Sequence, residues 1–123
     1  MYYDFFKSYL DNDDTPIVIC DLDYRIIYVN PCAAEKYKDY GGNALVGRSL
    51  IAFMNEETES KVNAVVEWFK ESSDNNNIFA RHNKIENEDV YMSALRDQQG
   101  TLVGFCSRHR YRSPDTKEAY DIC

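Results

Sequence analysis

The stretch IIYVNPCAAEKY, residues 26–37, changes its hydrophobic period in mid-course, and this limits the fold more than any other feature of the chain. Up to Val29 the residues are β-branched and aromatic, as in a strand; from Pro31 small residues and a charged pair take over, as in a helix. Asn30 stands at the junction. Its side-chain oxygen suits a helix N-cap, and Pro31 suits the first helical position, where the missing N–H costs nothing. A strand therefore ends and a helix begins within one peptide unit. Upstream, PIVICD reads as a strand bounded by Pro16 and Asp21, and DLDY as a turn, so residues 16–30 form a hairpin.

The helix from Pro31 is expected to run through PCAAEKYKDY to Gly41-Gly42, with Cys32, Ala33 and Ala34 allowing close approach to a sheet. NALVGRSLIAFM, interrupted by Gly47, reads as two short helical turns, and Gly47 as a position needing a backbone angle that other residues resist. Asn55 caps a longer helix, EETESKVNAVVEWFKESS, with Glu56, Glu57 and Glu59 at its positive end and Lys70 near the other. Val62, Val65, Val66 and Phe69 form its i, i+3, i+4, i+7 stripe. Three strands follow: NIFARHNKI, EDVYMSALRD and TLVGFCSRHRY, separated by charged and Gly-containing turns. Strands grouped around a block of helices indicate α+β architecture with one antiparallel sheet. At the start, Tyr2, Phe5, Phe6, Tyr9 and Leu10 gather on one side of a short helix. The expected organisation is an N-terminal amphipathic helix over 1–12, one domain over 13–112 and a tail over 113–123, in which Pro114 opposes a helix continuing directly from the last strand.

The 123 residues suit a single core. A net charge of −7 argues against nucleic-acid binding, because phosphate neutralisation needs clustered Lys and Arg. The one such cluster, SRHRYR at 107–112, reads as an edge strand alternating charge toward solvent. No apolar run approaches the roughly 20 residues that span a bilayer, and no cleavable leader is visible, so the expected location is the cytoplasm. Cys20, Cys32, Cys106 and Cys123 include no Cys-x-x-Cys pair, which removes zinc knuckles and thioredoxin-like chemistry. Cys20 and Cys106 read as small buried hydrophobes, and Cys123 as exposed. Asp21 and Asp23 lack the Gly and later Glu of a calcium loop. No metal site is expected.

Taken in order, TPIVICDLDYRIIYVNPCAAEKYKDY, LVGRSL and YMSALRDQQGTLVGFCSRHR resemble the PAS domain: an apolar strand ending in Asp, an I-x-Y-V-N element before Pro, a Leu-x-Gly-Arg-Ser element and a closing Asp-x-x-Gly hairpin. The resemblance covers about residues 15–110. It implies a five-stranded antiparallel sheet in the order 2-1-5-4-3 with helices packed on one face. It also implies that Asn30 is the helix-capping Asn, Gly47 the loop Gly, and Asp97 with Gly100 the last hairpin turn. PAS domains mostly sense or dimerise, so a non-catalytic signal-transduction module is expected. Two cofactor branches fit poorly. LVGRSLIAFM lacks the Cys of flavin-adduct domains, and residues 45–76 contain no His for haem, leaving His82 and His109 in strands, where hydrogen bonding or solvent exposure is the ordinary role.

The small-molecule reading places a ligand of unknown identity, or simply a filled core, between the sheet and the Val62, Val65, Val66, Phe69 stripe. Leu50, Phe53 and Met54 would close one side, and Ile78, Tyr91 and Phe105 would contribute from the strands. The interaction reading places a homodimer contact, or a signalling partner, at Tyr2, Phe5, Phe6 and Tyr9, the alternative being a helix folded back as a lid on its own sheet. A third reading is an enzyme of ketosteroid-isomerase type using Tyr91 or Asp97; no nucleophile, phosphate-loop or metal motif supports catalysis.

Overall fold

The computed structural model describes residues 2–122, so Met1 and the expectation for Cys123 lie outside the described residues. Five strands, β1 (Ile17–Asp21), β2 (Ile26–Val29), β3 (Asn77–Asn83), β4 (Glu88–Arg96) and β5 (Leu102–Tyr111), form one antiparallel sheet in the order β2-β1-β5-β4-β3. That order and the α+β class are those expected. Helices α1 (Tyr3–Asp11), α2 (Pro31–Lys36) and α3 (Glu56–Glu71) accompany it, with 3-10 turns at Lys38–Tyr40, Gly42–Leu45 and Leu50–Phe53. None of these helices is long and apolar enough to cross a membrane.

The junction at Asn30 forms as its chemistry requires, and does more than cap. The side chain is fully buried, and its oxygen accepts from Ala33 N at 2.9 Å, in the first turn of α2, and from Ile17 N at 3.0 Å, at the head of β1. Its NH2 donates to Thr15 O at 2.9 Å and Leu10 O at 3.2 Å. One amide therefore joins the end of α1, the start of β1 and the start of α2. The helix after it is shorter than expected: it tightens to 3-10 geometry over Lys38–Tyr40 before Gly41, whose φ of 125° no helix continues.

Period-2 alternation assigns the sheet its faces. Cys20, Met92 and Phe105 point inward, as do Ile26 and Val29 of β2, which share that side across an irregularity in the register with β1, and with Tyr24, Ala33, Leu45, Val66 and Phe69 they make the core. The sheet also demands one glycine: a Cβ on Gly104 of β5 would lie 2.3 Å from the carbonyl oxygen of Cys20 on β1. β5 is the central strand, so the SRHRYR run does not occupy an edge. The edges are β2 and β3, and Arg108 and Arg110 of β5 reach outward because they alternate with the inward-facing His109.

Three substitutions test this description by denaturant titration. Asn30→Ala removes a cap and leaves buried backbone groups without partners, and is expected to cost at least about 2 kcal/mol. Phe69→Ala opens the centre of the core and is expected to cost about 3–5 kcal/mol. Gly104→Ala is expected to cost about 1–3 kcal/mol through displaced backbone.

Candidate functional site

Eight of the ten residues expected around a ligand do come together. Val66, Phe69 and Phe105 belong to the buried core, and Leu50, Met54, Val62, Val65 and Ile78 pack against it. α3 presents its stripe because Asn55 caps it through Thr58 N at 2.8 Å and Arg96 collects its last carbonyls. The centre they surround is occupied by protein. Phe105 meets the Tyr24 ring edge-on at 5.4 Å, and Tyr24 hydroxyl bonds the Asn63 amide oxygen. Tyr24, expected in a turn, is thus a core residue; its φ of 63° lets the turn direct the ring inward.

Two of the ten sit elsewhere. Phe53 is 37% exposed, edge-on to Tyr40 and beneath the Arg48 guanidinium. Tyr91 points away from the core, because Val90 and Met92 on either side of it point inward and strand geometry alternates. It stacks on Phe79, ring centroids 5.3 Å apart, with the guanidinium carbons of Arg108 and Arg110 at 5.0 and 5.3 Å from its centroid. Asp97 is exposed. Its carboxylate accepts from Gln99 N and Thr101 N, and with Gly100 at φ 84° it makes the β4–β5 turn. The two residues named for a catalytic site therefore lie on an outer face and in a hairpin.

The outer face is the other candidate. Across β3, β4 and β5 it carries Phe79, Tyr91, Ser93, Arg108 and Arg110, with Cys106 half-buried rather than fully buried as expected. α1 rises near the opposite edge, tied by Tyr28 hydroxyl to Asp11 at 2.5 Å. None of its residues is buried: Tyr2, Phe5, Phe6 and Tyr9 are 64–76% exposed. They form no lid over their own sheet. An open hollow of about 800 Å³ runs along this helix, lined by Phe5, Tyr9 and five polar residues that include Asp4 and Asp13.

A third group was missed from sequence. Glu88 of β4, 1% exposed, accepts at one oxygen from His109 Nδ1 at 2.5 Å and from Lys36 Nζ at 3.1 Å. Lys36 also reaches Glu86 at 2.9 Å. Burial pushes the Glu88 carboxyl up, yet the bonds from His109 and Lys36 outweigh it and leave it below the usual carboxylate range. Burial likewise holds the His109 imidazole below its ordinary value, aided by Lys36 and Arg81, against the pull of Glu88. On the other face His82 Nδ1 meets Asp89 at 2.8 Å, and Arg112 clasps the same carboxylate at 2.9 Å. The signal for Glu88 was present: it shares its side of β4 with Val90 and Met92 at i+2 and i+4. Cys20, by contrast, is the small buried residue expected, its thiol pushed up to about 12 by burial.

Comparison with known proteins accords with this geometry. The sequence profile described as "PAS domain" matches residues 14–108. No curated protein matches the chain. Among solved structures it is similar to a C-terminal domain from Streptococcus mutans, with 18% identity and a TM-score of 0.65 over 86% of this chain and 81% of that one. It is similar also to a PAS domain from Colwellia psychrerythraea, with 14% identity and a TM-score of 0.61 over 90% and 97%. A sensory box sensor histidine kinase from Vibrio cholerae aligns at 15% identity and a TM-score of 0.56 over 86% and 85%. With the profile spanning most of its length and the sheet order in agreement, the chain belongs to the PAS domain family.

Proposed function

We propose that this chain is a non-catalytic signal-transduction module that works by associating with a second copy of itself, the aromatic side of α1 seating on the outer sheet face of its partner. The observation that carries the reading is the exposure of Tyr2, Phe5, Phe6 and Tyr9 on a helix with no buried residue. Aromatic side chains of this size are enriched at interface centres and scarce, in such density, on free surfaces. Charge favours the pairing as well. Asp4, Asp11, Asp13 and Asp14 surround the aromatics against Lys7 alone, and the outer face offers Arg108 and Arg110 beside Tyr91 and Phe79. For a chain of net charge −7, a local basic patch meeting a local acidic helix offsets the general repulsion between copies.

The small-molecule reading needs room between α3 and the sheet. Phe69 and Phe105, both almost wholly buried, occupy that space, so a ligand there requires a second packing of α3. Filled walls support the interaction reading over it. The enzyme reading is supported by nothing comparable, since Tyr91 and Asp97 share no cleft.

Sedimentation at micromolar concentration tests the proposal. The full chain is expected to run at twice its 14.4 kDa mass. Phe5→Ser combined with Phe6→Ser is expected to run as a monomer with unchanged far-UV dichroism. Arg108→Glu combined with Arg110→Glu is expected to dissociate likewise, and to regain association when mixed with a chain carrying Asp4→Lys and Asp11→Lys. A full chain that is monomeric throughout rejects the reading.

A further inference from the structure

Both histidines of the chain bond carboxylates through Nδ1, and the carboxylates are successive residues of β4, Glu88 and Asp89, on opposite faces of the sheet. The inner pair differs from the outer in being sealed: the side chains of His109 and Glu88 are only 4% and 2% exposed, against 25% and 10% for His82 and Asp89. It differs also in what it holds. Lys36, near the end of α2, is 27% exposed and shares with His109 the single oxygen Oε1 of Glu88. α2 is thereby fastened to the sheet at its C-terminal end by a contact that a neighbouring imidazole adjoins.

We propose that Glu88, His109 and Lys36 form a proton-responsive latch: a proton taken up by His109 displaces Lys36 from Glu88 and frees the end of α2 with the 3-10 turns behind it. The proposal goes beyond the association described above and does not depend on it. The charge balance around the buried imidazole decides which member moves. The charged groups facing His109 are Glu88 of β4, Lys36 of α2 and Arg81 of β3. Glu86 in the β3–β4 turn, Cys32 of α2, Tyr37 just after it, and Tyr111 of β5 complete the surroundings of Glu88 and Lys36. With a neutral imidazole, two carboxylates face two cations. An imidazolium makes three cations against two carboxylates, in a site where uncompensated charge is costly. The imidazolium gains a charge-assisted bond to Glu88 and is too buried to leave. Lys36 has a path to water and keeps Glu86, 49% exposed, as a partner at the rim. It is the member that moves.

The direction in pH follows. A His109 held below its ordinary value is neutral at neutral pH, so the latch is closed there and opens in acid. Because the unfolded chain takes up this proton first, the contribution to stability also declines as pH falls from about 6.5 through the folded-state value. Glu88, held low, adds a further loss only at lower pH, as its own carboxylate is protonated. Global loss and local opening must therefore be separated.

Nuclear magnetic resonance of the isotope-labelled full chain, from roughly pH 8 to pH 5, does so. The amides of Ala33 to Tyr37 are expected to shift with the same midpoint as the His109 ring. Their exchange protection should fall by about tenfold relative to the amides of β4 across that midpoint. Substituting His82, on the other face, is expected to leave that midpoint in α2 unchanged. In His109→Gln, whose side-chain amide still donates to Glu88 but cannot take up a proton, the midpoint in α2 should vanish. The proposal is overturned if His109 titrates while α2 amides stay still, or if α2 in His109→Gln follows the same curve as the unaltered chain. Should His109→Gln fail to fold, coincidence or divergence of the two midpoints in the unaltered chain decides.

Discussion

A single buried primary amide sets the relation of three chain segments, the end of α1, the head of β1 and the first turn of α2. Asn30 can satisfy Ile17 N and Ala33 N with one atom and Thr15 O and Leu10 O with the other, and only an uncharged side chain with both donor and acceptor can serve all four. Aspartate would set a carboxylate against two carbonyls; serine would be too short to reach both sides. Because the site is sealed, each of these backbone groups would otherwise be buried without a partner, at a cost of about 1–3 kcal/mol each. The hairpin of β1 and β2, the direction in which α2 leaves it and the place where α1 ends are all consequences. The core position of Ala33 in the first turn of α2 and the approach of Leu45 depend in turn on that direction.

Local chemistry explains which parts of this architecture the sequence discloses. The Asn30-Pro31 junction, the Asn55 cap and the Asp97–Gly100 turn are each decided within four residues, and each is found where its residues place it. Sheet order was carried by the family resemblance, not by periodicity, since nothing in a strand's own residues names its neighbours. The inward stripe of α3 was legible from its spacing. Tyr91 and Phe53 were not, because an aromatic residue in a strand or short turn looks alike whichever side it takes, and one position of register decides. Tyr24 escaped because a positive φ at a non-glycine turn residue has no reliable signature. Glu88 and His109 escaped because their partners lie 52 and 21 residues away in Lys36 and each other, and because charged residues near a turn read by default as solvated.

The inner face of the sheet is apolar in its middle and polar at both ends, and the two ends are built differently. At one, Arg96 of β4 donates to Phe69 O at 2.7 Å, Ser72 O at 3.1 Å and Asn75 O at 3.2 Å, to Gly100 O and to the Asn76 side chain. It joins the C-terminus of α3, the segment after it and the β4–β5 turn. At the other, Glu88 and Lys36 fasten the end of α2. Neither clamp is needed to make the core hydrophobic, and buried ionic groups are poor sources of net stability once their desolvation is counted. Their effect is positional: each accepts only one placement of the helix end it holds.

Their chemistry gives those placements different persistence. The clamp on α3 bonds carbonyl oxygens, which carry no titratable proton, so its acceptors do not answer to pH. The carboxylate that holds α2 is shared with an imidazole, the one side chain whose ordinary range of protonation falls in the physiological interval. A sheet with one constant clamp and one titratable clamp can yield at one end of its helical layer without loosening the other. Of the core residues, Val66, Phe69, Phe105 and Met92 lie on α3 and the strands, whereas Ala33 sits in the first turn of α2, at the end held by Asn30 rather than by Lys36. Separation of this kind lets a small domain change shape on one flank while the burial that keeps it folded stays intact.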